Sequence, residues 1–437
     1  MHELEIIKDL ILDSQKEILV AGMPRRLQIQ VVPKKATICI GVRRCGKSTY
    51  MQQIMTATLA TGVARENILH VNFFDDRLRF LHAMGPSMVI DAYYSLYPEK
   101  KYVEKIYCFF DEIQVTANWE SFIDRIMRTE KCDVYITGSS AQMLAIEIAT
   151  EMRGRSLSWE MFPFSFLEYL DFKNISVGKN LDTKTKLIIQ KVFKAYWDEG
   201  GFPETIGLEP ALRIKIHQEY ANTLIFKDIV QRHDIQHPNA VLDLAHQLVE
   251  NTAALYSVNS LTKYLRSLGH KISKDLVMNY VTWLEDAYFL FSVGIFDASI
   301  ARNKRNPKKI YCIDNALAKS ISSGILLNTG HMLENLVFLV LRRTYKKIYY
   351  YKTNSGKEVD FVVQAQDRSK LLYQVSESIA DKDTRQRELS GLQEAMLELN
   401  VKHGMVITQY DAEEFNNEAG NIKVVPMWKF MLEHHSH

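Results

Sequence analysis

The stretch Gly41-Val42-Arg43-Arg44-Cys45-Gly46-Lys47-Ser48 fits G-x-x-x-x-G-K-[ST], and it constrains the fold more than any other part of the chain. Such a loop works where a buried strand ends and a helix begins. Ala36-Thr37-Ile38-Cys39-Ile40 before it is apolar and β-rich, so it reads as a buried strand. The residues from Ser48 to Met55 are good helix formers with no breaker. The two glycines let the backbone fold back until several N–H groups point at one anion. Lys47 then reaches the β- and γ-phosphates of a nucleotide, and the Ser48 hydroxyl suits Mg²⁺. The phosphate-binding set therefore runs from Gly41 through Val42, Arg43, Arg44, Cys45, Gly46, Lys47 and Ser48 to Thr49 in the first helical turn.

At 437 residues the chain is long enough for about three domains of ~100–200 residues. Its 47% hydrophobic and 24% charged content supplies ordinary cores and a solvated surface. A net charge of +2 neither demands nor excludes a polyanionic partner, since local patches matter more. The five cysteines (Cys39, Cys45, Cys108, Cys132 and Cys312) contain no CxxC pair and read as reduced, mostly buried residues of a cytoplasmic protein. The acidic start Met1-His2-Glu3-Leu4-Glu5 lacks a signal-peptide layout, and no run of ~18 apolar residues predicts a membrane span.

About 65 residues beyond the loop, Ile106-Tyr107-Cys108-Phe109-Phe110-Asp111-Glu112 reads as a buried parallel strand that delivers two carboxylates to its C-terminal edge. Asp111 would hold Mg²⁺ directly or through water, and Glu112 would orient and deprotonate the attacking water. Ile68–Phe73 and Asp133–Thr137 fit the same sheet. After the second comes Gly138-Ser139-Ser140, where Ser139, or failing that Ser140, could touch the γ-phosphate or simply cap a helix. Arg153 and Arg155 follow; arginine suits charge on a transferring phosphoryl group.

Residues 173–235 read as a helical lid or connector, with a sharp stop at Gly200-Gly201-Phe202-Pro203. Residues 236–310 read as a winged helix-turn-helix. Val258–Ser267 is the first helix, Leu268–Ile272 the turn, and Ser273 the cap of a second helix running to about Asp286. Phe289–Val293 is a strand. Lys271, Lys274 and the run Arg302, Lys304, Arg305, Lys308 and Lys309 could contact phosphates, or the module could serve protein contact. The second helix offers mainly Lys274 and Asn279 to bases, so sequence-specific readout is expected to be weak.

The order of these parts resembles an AAA+ type ATPase core, which implies a P-loop parallel-sheet α/β domain over residues 1–172. More narrowly, the chain resembles a prokaryotic ATPase family in which such a core precedes a C-terminal domain related to PD-(D/E)xK nucleases. The loop, Phe110–Gln114, Ile136–Ser140, Arg153-Gly154-Arg155, Phe162–Tyr169 and Gly200–Pro203 carry that resemblance. By analogy Arg153 or Arg155 stands in the place of an arginine finger acting on a neighbouring subunit, which implies a homo-oligomer or ring. The resemblance also implies an α/β restriction-endonuclease-like domain over residues 311–437. In its pattern a helix acid and a strand-start Asp bind metal beside Glu-x-Lys on the next strand. Glu334 and Asp360 match, but Gln374 and Ser376 stand where the second acid and the lysine belong. Glutamine brings no charge to Mg²⁺ and serine cannot replace an ammonium group, so the fold is expected without efficient cleavage. Glu377 lies one residue out of register, and Lys357 precedes Asp360 closely enough to approach the site.

The expectation from sequence is a Mg²⁺-dependent ATPase that binds ATP and couples its nucleotide state to a winged-helix and nuclease-like module on DNA. An ATP-regulated DNA nuclease and a slow-turnover, protein-binding switch are the alternatives.

Overall fold

The computed structural model describes residues 2–20, 22–138, 154–178, 181–297, 299, 302, 306–325 and 328–434. The chain divides into two compact units at the Met161–Phe162 peptide.

The N-terminal unit is built on β1 (Ala36–Ile40), β2 (Ile68–Asn72), β3 (Ile106–Asp111), β4 (Cys132–Gly138) and β5 (Ser156–Glu160), in the order β2-β3-β4-β1-β5. All four pairings are parallel. Helices cover such a sheet on both faces, which is why β1 is buried at every position and β3 at nearly every one. The helix Lys47–Ala60 leaves the β1 edge and buries Met51 and Met55 against Ile68, Phe109 and Tyr135. Phe109 and Tyr135 stack across β3 and β4 with ring centroids 4.5 Å apart. The strongly amphipathic helix Trp119–Thr129 buries Trp119, Phe122, Ile123 and Ile126.

The C-terminal unit begins with helices. Ser165 and Glu168 form a capping box for Phe166–Phe172. The helix Thr183–Glu199 stops at Gly200, and the Gly201 N–H donates to Asp314 Oδ2 at 2.7 Å. The glycine pair thus marks a tertiary contact as well as a chain turn. The helix Pro210–Thr223 continues as a wider π-helical segment, Leu224–Gln231. Next come the helix Pro238–Glu250, β6 (Leu255–Tyr256), helices Val258–Ser267 and Lys274–Asp286, β7 (Leu290–Val293) and β8 (Lys308–Cys312). Ser273 caps the Lys274–Asp286 helix by accepting from the Leu276 N–H. β6, β8 and β7 form a three-stranded antiparallel sheet in that order.

A six-stranded sheet closes the chain: β9 (Ile348–Lys352), β10 (Glu358–Gln364), β11 (Lys370–Val375), β12 (His403–Thr408), β13 (Glu413–Asn417) and β14 (Gly420–Pro426). The order is β13-β14-β12-β11-β10-β9, antiparallel through β9, β10 and β11, then parallel from β11 to β12 and from β12 to β14. The helix Lys382–Glu398 buries Leu392, Ala395 and Met396 against Val359, Val362, Leu372 and Val406. The three-stranded and six-stranded sheets are joined through backbone. Phe296 N–H donates to Tyr350 O at 2.7 Å, and Tyr350 N–H donates to Gly294 O at 3.0 Å. Asn335, fully buried on the helix Thr329–Thr344, adds a side-chain tie. Its amide accepts from Cys312 N–H and donates to Cys312 O and Asn315 Oδ1.

Asn335→Ala would leave buried Cys312 and Asn315 groups unmatched, each costing about 1–3 kcal/mol. The expected result is a lower denaturant midpoint for this unit with an unchanged slope, read by circular dichroism. An unaltered midpoint would contradict the role given to Asn335.

Candidate functional site

The C-terminal edge of the first sheet is assembled by strand order. β4 lies between β1 and β3, so the loop after β1 and the acids after β3 emerge on one edge, with the end of β4 between them. Two glycines shape the loop. Gly41 adopts φ +153°, and a Cβ there would run into the Met161 carbonyl. Gly46 adopts φ +99°, a conformation that favours glycine, and turns the chain into the helix beginning at Lys47. Cys45 is fully buried under the turn, its thiol donating to Met161 O at 3.5 Å. Lys47 is buried, and its ammonium donates to Gly41 O and Val42 O, both at 2.9 Å. Ser48 and Thr49 are exposed at the start of the helix. Arg43 lies over the half-exposed Phe74 ring, 5.8 Å from its centroid. Burial pushes the neighbouring Cys39 thiol up to about 12, so this cysteine is a small core group at neutral pH.

Asp111 is buried at the end of β3, and its Oδ1 accepts from the Thr137 hydroxyl on β4, directly opposite in register. Glu112 follows at φ +56°, an uncommon conformation for a non-glycine residue and a strained one. Its N–H donates to Thr137 O at 3.0 Å, and its carboxylate accepts from the Gln114 amide. Of the arginines read from sequence, Arg155 is described. It precedes β5 and pairs with Asp124 at 2.7 Å, both partly exposed. Ser139, Ser140 and Arg153 lie outside the described residues.

Two contributors were not legible. Thr137 reads as an ordinary strand residue, and its contact with Asp111 depends on register. Arg25 lies in a segment without periodicity. Its Nη1 donates to Cys45 O at 2.6 Å, while its N–H and the Met23 carbonyl are held by Gln53. The only available signal was the adjacent Arg25-Arg26 pair. The loop fits a nucleotide phosphate with Mg²⁺: it has a cradle that added Cβ atoms would disturb, a buried ammonium, an exposed Ser48 and a buried carboxylate two strands away.

A second charged cluster lies in the C-terminal unit. Glu334, Glu358 and Asp360 converge on the Lys309 ammonium, which sits 2.9 Å from Glu334 Oε1, Glu358 Oε1 and Asp360 Oδ1. The Tyr311 hydroxyl donates to Glu334 Oε1 at 2.7 Å, and the Val375 N–H donates to Asp360 Oδ2 at 2.9 Å. Burial opposes the charge on Lys309, but Asp360 and Glu334 outweigh it and hold the ammonium well above its ordinary pKa. Burial, followed by the Asp360 charge, pushes Glu334 up to about 7.

Lys309 therefore corrects the reading of residues 302–309 as one exposed basic run. β8 turns its side chain inward, leaving it 4% exposed, whereas Arg302 is 75% exposed and lies near Asp297. Lys304 and Arg305 lie outside the described residues, and Lys308 is half-buried on β8. Lys357 is a second correction. It turns away from Asp360 to pair with Glu394 at 3.3 Å. Gln374 does stand beside Asp360, accepting from its N–H at 3.3 Å, while its amide donates to Glu388 at 2.7 Å. Ser376 bonds to Ser378 O, and Glu377 is exposed. Among the described residues, no group of three or more His, Cys, Asp or Glu side chains is arranged to hold a metal ion, and no helix is long and apolar enough to cross a membrane.

Residues 33–170 match the family described as an AAA domain, and this segment is an AAA domain. Two further families, each described as a domain of unknown function, match residues 190–326 and 329–430. An uncharacterized protein of Methanocaldococcus jannaschii is 29% identical over 440 residues, covering 98% of this chain and 95% of its own. One from Haemophilus influenzae is 28% identical over 337 residues, covering 76% of this chain and 80% of its own. Among solved structures, the Walker-type ATPase of Pyrococcus abyssi aligns with a TM-score of 0.39 at 13% identity, over 65% of this chain and 90% of that one. The Aeropyrum pernix ORC1 protein in complex with DNA aligns at 0.32 and 12%, over 73% and 91%.

Gly41→Ala would set a methyl group against the Met161 carbonyl, at a cost of about 2–4 kcal/mol. The expected outcome is a lower melting temperature for the N-terminal unit, measured by scanning calorimetry. A melting curve identical to the wild type would show that β5 does not fix the loop.

Proposed function

We propose that this protein is a Mg²⁺-dependent ATPase of AAA+ type. The observation that carries this reading is the strand order that brings the Lys47 loop and the Asp111-Glu112 pair to one sheet edge, with Thr137 bonded to Asp111 between them. The loop N–H groups would receive the phosphates, and Lys47 would exchange the Gly41 and Val42 carbonyls for phosphate oxygens. Ser48 and Asp111 would hold Mg²⁺, which when bound neutralises charge on the β- and γ-phosphates. Glu112 would orient the attacking water and take its proton, with Gln114 steadying the carboxylate. Ser139 is assigned to the γ-phosphate side. Arg155, or Arg153, would serve a neighbouring subunit's site in a homo-oligomer.

Turnover would act on the C-terminal unit, with DNA as its target. Support comes from the helix–strand–helix–helix–strand–strand order between Pro238 and Cys312, which suits a winged helix. Lys271, Lys274 and Asn279 are exposed on it, and so is Arg302. Under this reading the C-terminal sheet is a nuclease-like scaffold without cleavage. Glu334 and Asp360 would be the remnants of its metal site, and Lys309 now binds both.

Lys47→Ala is expected to weaken nucleotide binding by more than about 100-fold, and Glu112→Gln to keep binding while lowering turnover about 10²- to 10⁴-fold. Both are read by fluorescent-nucleotide titration and steady-state phosphate release. Normal turnover in Glu112→Gln would refute the assigned base, and vanishingly slow turnover in the wild type would favour a nucleotide-dependent switch. DNA affinity is expected to fall steeply between low and moderate salt, and to weaken in Lys271→Ala/Lys274→Ala. Salt-insensitive binding would remove DNA from the reading.

A further inference from the structure

We propose that the Lys309 ammonium is the resident cation of the C-terminal domain, occupying as part of the chain the position between Glu334, Glu358 and Asp360 that a divalent metal would need. The proposal rests on the nuclease-like reading of the C-terminal sheet and is independent of the ATPase reading, because none of these residues lies in the unit that carries the phosphate loop.

The donor count matches. An ammonium has three N–H groups, and three carboxylates from two elements, the helix Thr329–Thr344 and β10, each accept one at 2.9 Å. Two of the three remaining oxygens, on Asp360 and Glu358, have partners of their own, and Glu334 gains a second donor at the oxygen it already offers the lysine. Tyr311 shares Glu334 Oε1, Val375 N–H takes Asp360 Oδ2, and Lys352 stands 3.9 Å from Glu358 Oε2. A hard divalent cation needs about six oxygen ligands, usually with water among them. The side chains of Lys309, Glu334 and Asp360 are 4%, 11% and 10% exposed and that of Glu358 is 31% exposed, so the cluster opens on the Glu358 side, but the ammonium itself fills the position between the carboxylates. The adjacent strand offers no further anion, since Gln374 spends its amide on Glu388 and its oxygen on the Asp360 N–H. With Lys309 in place, the donor set therefore does not admit a metal. It fits the cation it already holds.

The same geometry gives Lys309 a mechanical role. β8 belongs to the three-stranded sheet and β10 to the six-stranded one, so the ion cluster pins one to the other. A lysine that instead assisted a metal-bound water would need the carboxylates free for the metal.

The test uses the full chain without nucleotide, with Mn²⁺ as the probe, followed by electron paramagnetic resonance and thermal shift. Wild type and Asp360→Asn are expected to take up Mn²⁺ equally. Lys309→Met is expected to melt roughly 10 °C lower. It should also gain at least tenfold tighter Mn²⁺ uptake that partly restores the melting point and disappears in Lys309→Met/Asp360→Asn. Mn²⁺ uptake by the wild type that Asp360→Asn abolishes would overturn the proposal, as would Mn²⁺-dependent plasmid cleavage lost in Lys309→Met. So would a Lys309→Met protein with an unchanged melting point and no gained metal. Should that variant fail to fold, the comparison of wild type with Asp360→Asn still decides the matter: equal uptake supports the proposal and Asp360-dependent uptake overturns it.

Discussion

The N-terminal unit depends on a backbone contact that admits no side chain: the approach of Gly41 to the Met161 carbonyl. β5 ends beside β1, and the Met161 N–H donates to Ile40 O at 2.7 Å. The next residue of β1's chain must pass under that carbonyl, so it is glycine. Cys45 fills the space beneath the turn, and Gly46 redirects the backbone into a helix. Lys47 emerges where its ammonium can bond to the loop's own carbonyls. Local conformation, strand pairing and side-chain chemistry agree here, which is the consistency expected of a sequence that specifies one structure.

Much of this was legible because it is contiguous. A strand buried on both faces is a continuous apolar run, and the phosphate loop has fixed spacing, so β1, the loop, the following helix and β3 could be read directly from residues 36–55 and 106–112. What escaped was set by pairing. Thr137 meets Asp111 only because β3 and β4 take one register. Arg25 reaches Cys45 only because residues 23–27 lie along the helix Lys47–Ala60, where Gln53 and Tyr50 hold them. Neither contact leaves a period or motif in the sequence.

The C-terminal unit shows the same divide. The resemblance to a nuclease core implies that Asp360 and Gln374 lie together, and they do meet. Lys309 could not be separated from its basic neighbours by composition. Lys308 and Lys309 point to opposite faces of β8, and the pairing with Leu255 and Val293 decides which one turns inward. Charge counted along a sequence treats the two alike, although only Lys309 is buried among three carboxylates.

The backbone bonds between Gly294–Phe296 and Tyr350 also bear on how the C-terminal unit could be divided. They cover the outer edge of β9, which would otherwise present unpaired strand to solvent. A gene fragment ending near residue 327 would encode a lysine without its acids, and the remainder would encode acids without their lysine, beside a bare edge prone to self-association. The stretches 190–326 and 329–430, matched by two separate families, therefore share one ion cluster and one strand edge in this chain. Parting the two stretches would strand the ammonium on one side and its acids and a strand edge on the other, a cost borne in folding.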